Sequence, residues 1–433
     1  MNTPPQSLLP VENPQPSVQA EELFCAVAIP LPIFRLFHYR VPPHLKNQIA
    51  IGKRVKAPFR NRVETGFCIT LLAQPEVFPV RDIQEVLDLE ILISPILLRL
   101  AEWIGNYYCC SLGEVLEAFI PRAVKNQVRS RLTPFIRLKL NETELDQKIK
   151  ELDEKYPQQS RILRVFKEGI DQEFHPYELA RILGITVSPI LTLKKKGILQ
   201  WEQREVALDP FGDLLSVPAP VYKLTVEQKS AMDQLEPLLK PQHFSVTLLE
   251  GVTGSGKTEV YLRAIQKVVE QKQQAIVLVP EIALTPQTVA RFKQRFSRVA
   301  LLHSKLTDAQ RHYQWKYIFE GNADVVIGPR SAVFAPVQKL GVIILDEEHE
   351  TSFKQQNAPF YHAREVSIMR AKMEGAAVIL GTATPSLDTY HKACTKKYHH
   401  IKLTNRVYNQ SMPQVYVVDM GSEMRETKQF VLF

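Results

Sequence analysis

Gly251-Val-Thr-Gly-Ser-Gly-Lys-Thr258 has the spacing G-x-x-x-x-G-K-[ST]. An apolar run, residues 244–249, precedes it and predicts a buried parallel strand. A helical pattern follows over residues 259–270. In that context successive backbone N–H groups wrap phosphates, and the helix N-terminus adds positive potential. Gly251, Thr253, Gly254, Ser255, Gly256, Lys257 and Thr258 are therefore the expected nucleotide-binding residues. Lys257 is expected to reach the β- and γ-phosphates, and Thr258 to hold Mg²⁺ through its hydroxyl. A chance eight-residue match in a loop is the alternative, and the flanking strand and helix weigh against it.

A second chemical group lies about ninety residues on, in Gly341-Val-Ile-Ile-Leu-Asp-Glu-Glu-His349. Two adjacent acids on a turn are ordinarily solvated charge. Here they end an apolar strand downstream of a phosphate loop. Asp346 is then placed to bind Mg²⁺, and Glu347 to orient and deprotonate an attacking water. His349 could couple the nucleotide site to a bound strand, or it could be structural. The next segment, residues 350–364, interleaves Phe353, Phe360 and Tyr361 with Lys354, His362 and Arg364. Aromatics offer stacking platforms to unpaired bases, and cations offer phosphate contacts. The alternative is that these aromatics pack against the flank of the sheet.

The elements that must position these groups are legible. Apolar runs at 274–279, 324–328, 341–345 and 376–380 alternate with helical stretches, and each ends in a polar motif. That pattern predicts a parallel α/β sheet with its ligand at the carboxyl ends of the strands. Upstream the chain changes character. Residues 1–21 are polar and proline-rich, which predicts a disordered leader. Strand candidates follow at 24–29, 37–41, 54–58 and 64–72, predicting a small β-barrel. Lys53, Arg54, Lys56, Arg60 and Arg62 crowd one strand and loop, as a single-stranded nucleic-acid surface or as a solvated face. Residues 95–108 have helical spacing, with Ile96, Leu97, Leu100, Ile104 and Tyr107 on one face, and a second helix is expected over 113–119. The stretch 124–131 is basic and reads as a linker or an exposed DNA-facing segment. Helices over 160–167, 175–183 and 188–195, then a strand pair within 197–206, predict a winged helix that either contacts DNA or braces a neighbour. Domain boundaries are expected at 1–21, 22–122, 123–209, a linker at 210–221, and the α/β lobe over 222–433.

The 433 residues exceed one core and suggest several domains. A net charge of +8 favours a polyanionic partner. No apolar run reaches transmembrane length, and the N-terminus lacks a signal-peptide pattern, so no membrane association is expected. The five cysteines, Cys25, Cys68, Cys109, Cys110 and Cys394, form no C-x-x-C. Neither a zinc site nor a disulfide framework is expected in this chain, and a cytoplasmic setting is.

Asp346-Glu-Glu-His349 and Gly381-Thr-Ala-Thr-Pro385 resemble motifs II and III of superfamily-two helicases. The longer strings around Gly251–Tyr261, Leu278–Gln287, Arg330–Pro336, Asp346–Gln355 and Tyr361–Arg364 resemble the PriA family of replication-restart DNA helicases. The resemblance implies a β-rich 3′-end DNA-binding domain, a winged helix and a RecA-like motor lobe using ATP and Mg²⁺. It implies ATP-driven 3′-to-5′ unwinding at stalled forks. The implied partners are forked and single-stranded DNA, single-stranded DNA-binding protein and other primosome proteins. Gln228 would contact the adenine, and Thr382 and Thr384 would join His349 in coupling. DNA contacts would fall to Phe37, His38, Tyr39, Arg60, Arg330, Phe353, Lys354, Tyr361 and Arg364. His38 stands where the family commonly has an aspartate, and Arg60 where it has a glycine. The family's second motor lobe and zinc-binding region have no counterpart before Phe433, so Zn²⁺ is expected only outside this chain. The chain is expected to be a truncated form with little or no unwinding of its own. Two other readings are a non-catalytic fork-binding fragment and a different superfamily-two translocase.

Overall fold

The computed structural model describes residues 22–125, 132–167, 173–205 and 222–407, with positions 416, 417, 419 and 421. The leader 1–21, the linker 210–221, and Arg129 and Arg131 lie outside the described residues.

Six strands open the chain: β1 (Leu23–Ala28), β2 (Phe37–Val41), β3 (Arg54–Phe59), β4 (Arg62–Leu72), β5 (Arg81–Asp82) and β6 (Glu85–Val86). They form one sheet in the order β5-β2-β1-β4-β3-β6. The segment 81–86 pairs with β2 at one end and β3 at the other, and so draws the two edges of the sheet together. Strand alternation sends Cys25, Val27, Tyr39, Val41, Val55, Ala57 and Cys68 into one core. Phe67 and Ile69 face the other way, onto α1 (Pro95–Tyr108) and α2 (Leu112–Phe119). Ser94 and Ser111 cap these helices, the second through a reciprocal bond with Glu114. Tyr107 leaves the expected apolar face of α1 and is 60% exposed. The short α3 (Arg122–Lys125) buries Ala123 and Val124. Arg54 is not part of a basic surface: it is 2% exposed, and Asp88 accepts its guanidinium at 2.7 Å.

The second unit runs β7 (Leu132–Leu138), α4 (Glu142–Asp153), α5 (Pro157–Lys167), α6 (Pro176–Leu183), α7 (Ser188–Lys195) and β8 (Leu199–Glu205). The three expected helices are α5, α6 and α7. The expected strand pair within 197–206 is a single strand, β8, and its antiparallel partner β7 comes from upstream. Nothing in Trp201–Glu205 supplies the glycine or asparagine that a two-residue hairpin turn needs. Lys194 lies 4.5 Å from the Trp201 ring, and Lys196 donates to Gln159 Oε1 at 3.1 Å.

The third unit is a parallel sheet of seven strands: β9 (Ser245–Gly251), β10 (Gln274–Leu278), β11 (Val299–Leu301), β12 (Val325–Gly328), β13 (Leu340–Asp346), β14 (Ala377–Thr382) and β15 (His399–Leu403). The order is β11-β12-β10-β13-β14-β9-β15, and every pairing is parallel. The expected strands form its centre, and β11 and β15 are its edges. Helices α8 (Val226–Leu235), α9 (Lys257–Glu270), α10 (Pro286–Lys293), α11 (Asp308–Phe319), α12 (Ala363–Glu374) and α13 (Leu387–Cys394) cover it. One core holds Val260, Ile265, Val277 and Ile344. The opposite core holds Ile276, Ile343 and Val366 and is continuous with Leu100, Ile104 and Phe119 of the first unit. Phe119 stacks on Phe334 with ring centroids 4.2 Å apart. Among the described residues no helix is long and apolar enough to cross a membrane.

Candidate nucleotide and DNA site

Strand β9 delivers the chain at Gly251, and α9 takes it up at Lys257. Between them Gly254 and Gly256 adopt φ of +83° and +80°, which side chains disfavour. A Cβ on Gly256 would also lie 2.2 Å from Gln228 Nε2. Lys257 Nζ donates to Gly251 O at 2.8 Å and is thereby folded back over the loop. At the start of α9 the Glu259 N–H donates to Gly256 O at 3.0 Å, and the N–H groups of Lys257 and Thr258 precede any intrahelical acceptor.

The acids arrive on the neighbouring strand but one. Asp346 closes β13, and Glu347 follows at φ +52°, an uncommon region for a non-glycine residue. Tyr261, one turn into α9, donates its hydroxyl to Asp346 Oδ1 at 3.0 Å. Burial and the neighbouring Glu347 raise the Asp346 pKa, while the Tyr261 hydrogen bond and the Lys257 charge oppose them. Thr253, Gly254, Gly256, Lys257, Thr258, Gln228, Asp346 and Glu347 all line one cleft of about 850 Å³. That volume lies within the range of small-molecule sites. Gln228 is more engaged than expected. Its Nε2 donates to Ser255 O at 3.0 Å, and its Oε1 accepts from Thr225 N at 3.0 Å. One amide hydrogen and one lone pair remain for a base.

The residues expected from the resemblance to couple the two sites meet. His349 Nδ1 is 2.8 Å from Thr382 Oγ1, which also accepts from Thr384 N at 3.0 Å. The third acid, Glu348, is fully buried and was not singled out from the sequence. It accepts from Arg364 Nη1 at 2.9 Å, Ser386 N at 2.7 Å and Thr389 Oγ1 at 3.0 Å. Arg364 is therefore a buried structural cation rather than an open phosphate contact. Phe353 and Tyr361 are each 1% exposed, with Tyr361 edge-on to Phe334, so neither offers a free stacking face. Arg330 donates to Ser352 O at 3.1 Å and Lys354 O at 3.3 Å, fixing the loop that follows the acids. Tyr261, Glu348, and the cleft residues Arg291 and Arg295 of the α10 region escaped sequence reasoning. Spacing from Lys257 placed Tyr261 on the right helix but gave no hint of its partner.

In the first unit the structure gathers the expected residues. Phe37 and Phe59 meet edge to face at 5.1 Å, and Arg60 lies 5.6 Å from the Phe59 ring. Tyr39 is buried and donates to Pro58 O at 3.1 Å, so its ring is not a platform. His38 Nδ1 accepts from Glu76 N at 3.0 Å. The neutral ring then carries its proton on Nε2 and can donate, but not accept, there.

Residues 26–121 match the family model for a 3′ DNA-binding domain, and residues 225–393 that for a DEAD/DEAH box helicase. The replication restart protein PriA of Bacillus subtilis is 33% identical over 91% of this chain and 57% of its own length. Those of Chlamydia pneumoniae and Haemophilus influenzae are each 36% identical, over 95% and 92% of this chain and 55% and 54% of theirs. The chain thus spans a little over half the length of the curated relatives it matches. A phosphate loop, paired acids and a 3′ DNA-binding domain in this order, with identity along nine-tenths of the sequence, place the chain in the PriA family of replication restart proteins.

Proposed function

We propose that the chain supplies the nucleotide- and DNA-binding part of an ATP-dependent 3′-to-5′ helicase that restarts replication at abandoned forks. The observation that carries this reading is the convergence of Gln228, Lys257, Thr258, Asp346 and Glu347 on one cleft beside a paired His349 and Thr382. The cleft fits Mg·ATP on two counts. Ser255 Oγ in the phosphate loop is buried with no hydrogen-bond partner, and beside the cleft-lining Gly254 the nearest atom to a Cβ position is 3.8 Å away, which leaves room over the loop. Lys257 would leave Gly251 O for the β- and γ-phosphates. Thr258 and Asp346 would hold Mg²⁺, which neutralises phosphate charge when bound. Glu347 would orient a water and take its proton. The His349–Thr382 bond would report the state of this site to the strand-binding face. Phe37, Phe59 and Arg60 would contact a DNA end, with His38 donating from Nε2, and Arg330 and Lys354 would contact the tracked strand. Single-stranded DNA-binding protein and other primosome proteins are the proposed partners, and the cytoplasm the proposed setting.

Lys257→Ala is expected to abolish binding of a fluorescent ATP analogue, and Glu347→Gln to retain binding while removing hydrolysis. Unchanged nucleotide affinity in Lys257→Ala would refute the assignment.

A further inference from the structure

The C-terminal turn of α1 carries an aromatic ladder that neither the phosphate loop nor the paired acids use. Trp103 and Tyr107, four residues apart, stack with centroids 4.9 Å apart and planes 22° from parallel. Tyr108 meets Tyr107 edge-on at 4.8 Å and Trp103 edge-on at 6.2 Å. The outer face of Tyr107 is open, since that residue is 60% exposed. A solitary surface aromatic needs no explanation. A rigid stack with an open end is a different object, because its side-chain entropy has already been spent.

The ladder sits where the first unit meets the loop after the catalytic acids. Tyr108 Oη accepts from His362 N at 3.1 Å. Lys354 Nζ lies 5.0 Å from the Tyr108 ring centre and also donates to the Phe360 carbonyl. Phe360 itself is 46% exposed at φ +51°. The nearby carboxylate, Glu365, is already bonded to Arg364 at 3.1 Å and faces Lys392 at 3.9 Å. The joint therefore presents two exposed rings, Tyr107 backed by the stacked Trp103 and the edge-on Tyr108, and Phe360, with the Lys354 ammonium held over Tyr108. Rings for base faces and an ammonium for the backbone are the combination that holds single-stranded nucleic acid without reading its sequence. A protein partner would be expected to find a wider apolar patch without a cation at its centre.

We infer that Trp103, Tyr107 and Tyr108 of α1, with Lys354 and Phe360, form a stacking site for an unpaired base of single-stranded DNA at the joint between the first unit and the α/β lobe. The inference rests on the proposed DNA-binding function and adds a site to it. Tyr107 supplies the open face, Trp103 backs it, and Lys354 meets the phosphate beside the stacked base. Phe353 and Tyr361, expected from the sequence to stack on DNA, instead form the buried floor on which this surface stands.

The test uses the full chain and a fluorescein-labelled oligothymidylate, read by anisotropy, with Trp103 emission followed in parallel using an unlabelled strand. Tyr107→Ala is expected to weaken binding about ten-fold, about 1.4 kcal/mol and within the range for one base–aromatic stack. Tyr107→Phe, which keeps the ring, should restore it. Wild-type tryptophan emission should fall on binding, and Trp103→Phe should remove most of that change. Tyr107 is exposed, so its truncation leaves the core intact, and an unchanged circular dichroism spectrum checks this. Wild-type binding with equal affinity in Tyr107→Ala would overturn the stacking site while leaving DNA binding standing. No binding by the wild type would overturn both. A monomer–dimer shift on sedimentation that Tyr107→Ala removes, with DNA affinity unchanged, would assign the ladder to a protein contact and overturn the inference.

Discussion

Adding one methyl group at Gly381 should disable the lobe out of proportion to its size. A Cβ there would lie 1.6 Å from Tyr261 Oη, 2.6 Å from Cζ and 3.2 Å from Cε1. Tyr261 cannot swing aside: it is 1% exposed, sits in the core with Val260 and Ile265, and is bonded to Asp346. Either α9 or β14 must shift. Overpacking of this kind costs about 1–3 kcal/mol and occasionally more. Losing a hydrogen bond to a charged acceptor adds about 1.5–3 kcal/mol. Gly381→Ala is thus expected to cost about 2.5–6 kcal/mol, the sum of those two effects. Tyr261→Phe removes the nearest atom but leaves Cζ at 2.6 Å, so it should relieve the clash only in part. The double variant should cost less than the two single changes added, by about 1–3 kcal/mol, as contacting residues do. The lobe is best followed by hydrogen exchange of the β9, β13 and β14 amides in urea, which excludes unfolding of the other units. A Mg²⁺ titration of nucleotide affinity reports the same displacement at Asp346. Additive costs, or a silent Gly381→Ala, would show Tyr261 free to move and would refute its role as a brace on Asp346.

Glu348→Gln should remove the fully buried carboxylate of the Arg364 pair, leaving Arg364 only the more exposed Glu365, and cost up to about 3–5 kcal/mol, read as the urea midpoint of the lobe. Phe119→Ala should cost about 3–5 kcal/mol and split the joint melting of the first unit and the lobe into two transitions by calorimetry. Asp346→Asn should stabilise the Mg²⁺-free chain at neutral pH. Burial and Glu347 raise the folded-state pKa, so ionising Asp346 opposes folding above the ordinary aspartate range. The advantage of Asn should disappear as pH falls below that range, and a pH-independent advantage would refute the cause.

The residues that line the cleft and the central strands were legible because they depend on local pattern. Residues 251–258 need only a glycine spacing, and β13 needs only an apolar run ending in acids. The same locality explains the misses. The sequence pairs a wing strand with its neighbour, whereas β8 finds β7, more than fifty residues upstream. Edge strand β15 reads His-His-Ile-Lys-Leu, an alternation that one exposed face permits and that resembles a loop. Aromatics beside cations at 353–364 look like a DNA surface. They are instead divided by packing the pattern cannot reveal: Phe353 and Tyr361 are buried, Tyr361 edge-on to Phe334, while Phe360 is exposed and Lys354 lies over Tyr108. Arg54 and Arg364 look like surface charge until Asp88 and Glu348 are found opposite them.

The two halves of the site are joined by a run of backbone bonds beside the buried acid Glu348. Its neighbour Glu347 points into the nucleotide cleft, and Glu350 N donates back to Glu347 O at 2.9 Å. Phe353 N donates to Glu350 O at 3.2 Å, and Arg330 clamps the carbonyls of Ser352 and Lys354. Lys354 bridges to His362, whose N–H ends on Tyr108 of the first unit. Each joint is a bonded backbone group or a packed ring, so the path from Glu347, the proposed catalytic acid, to α1, where the stacking site is inferred, is bonded throughout. A strand that shifts Lys354 must therefore work against the bonds that hold Glu347. By linkage the same free energy must appear when nucleotide binds first: whatever factor DNA imposes on nucleotide affinity, nucleotide imposes on DNA affinity.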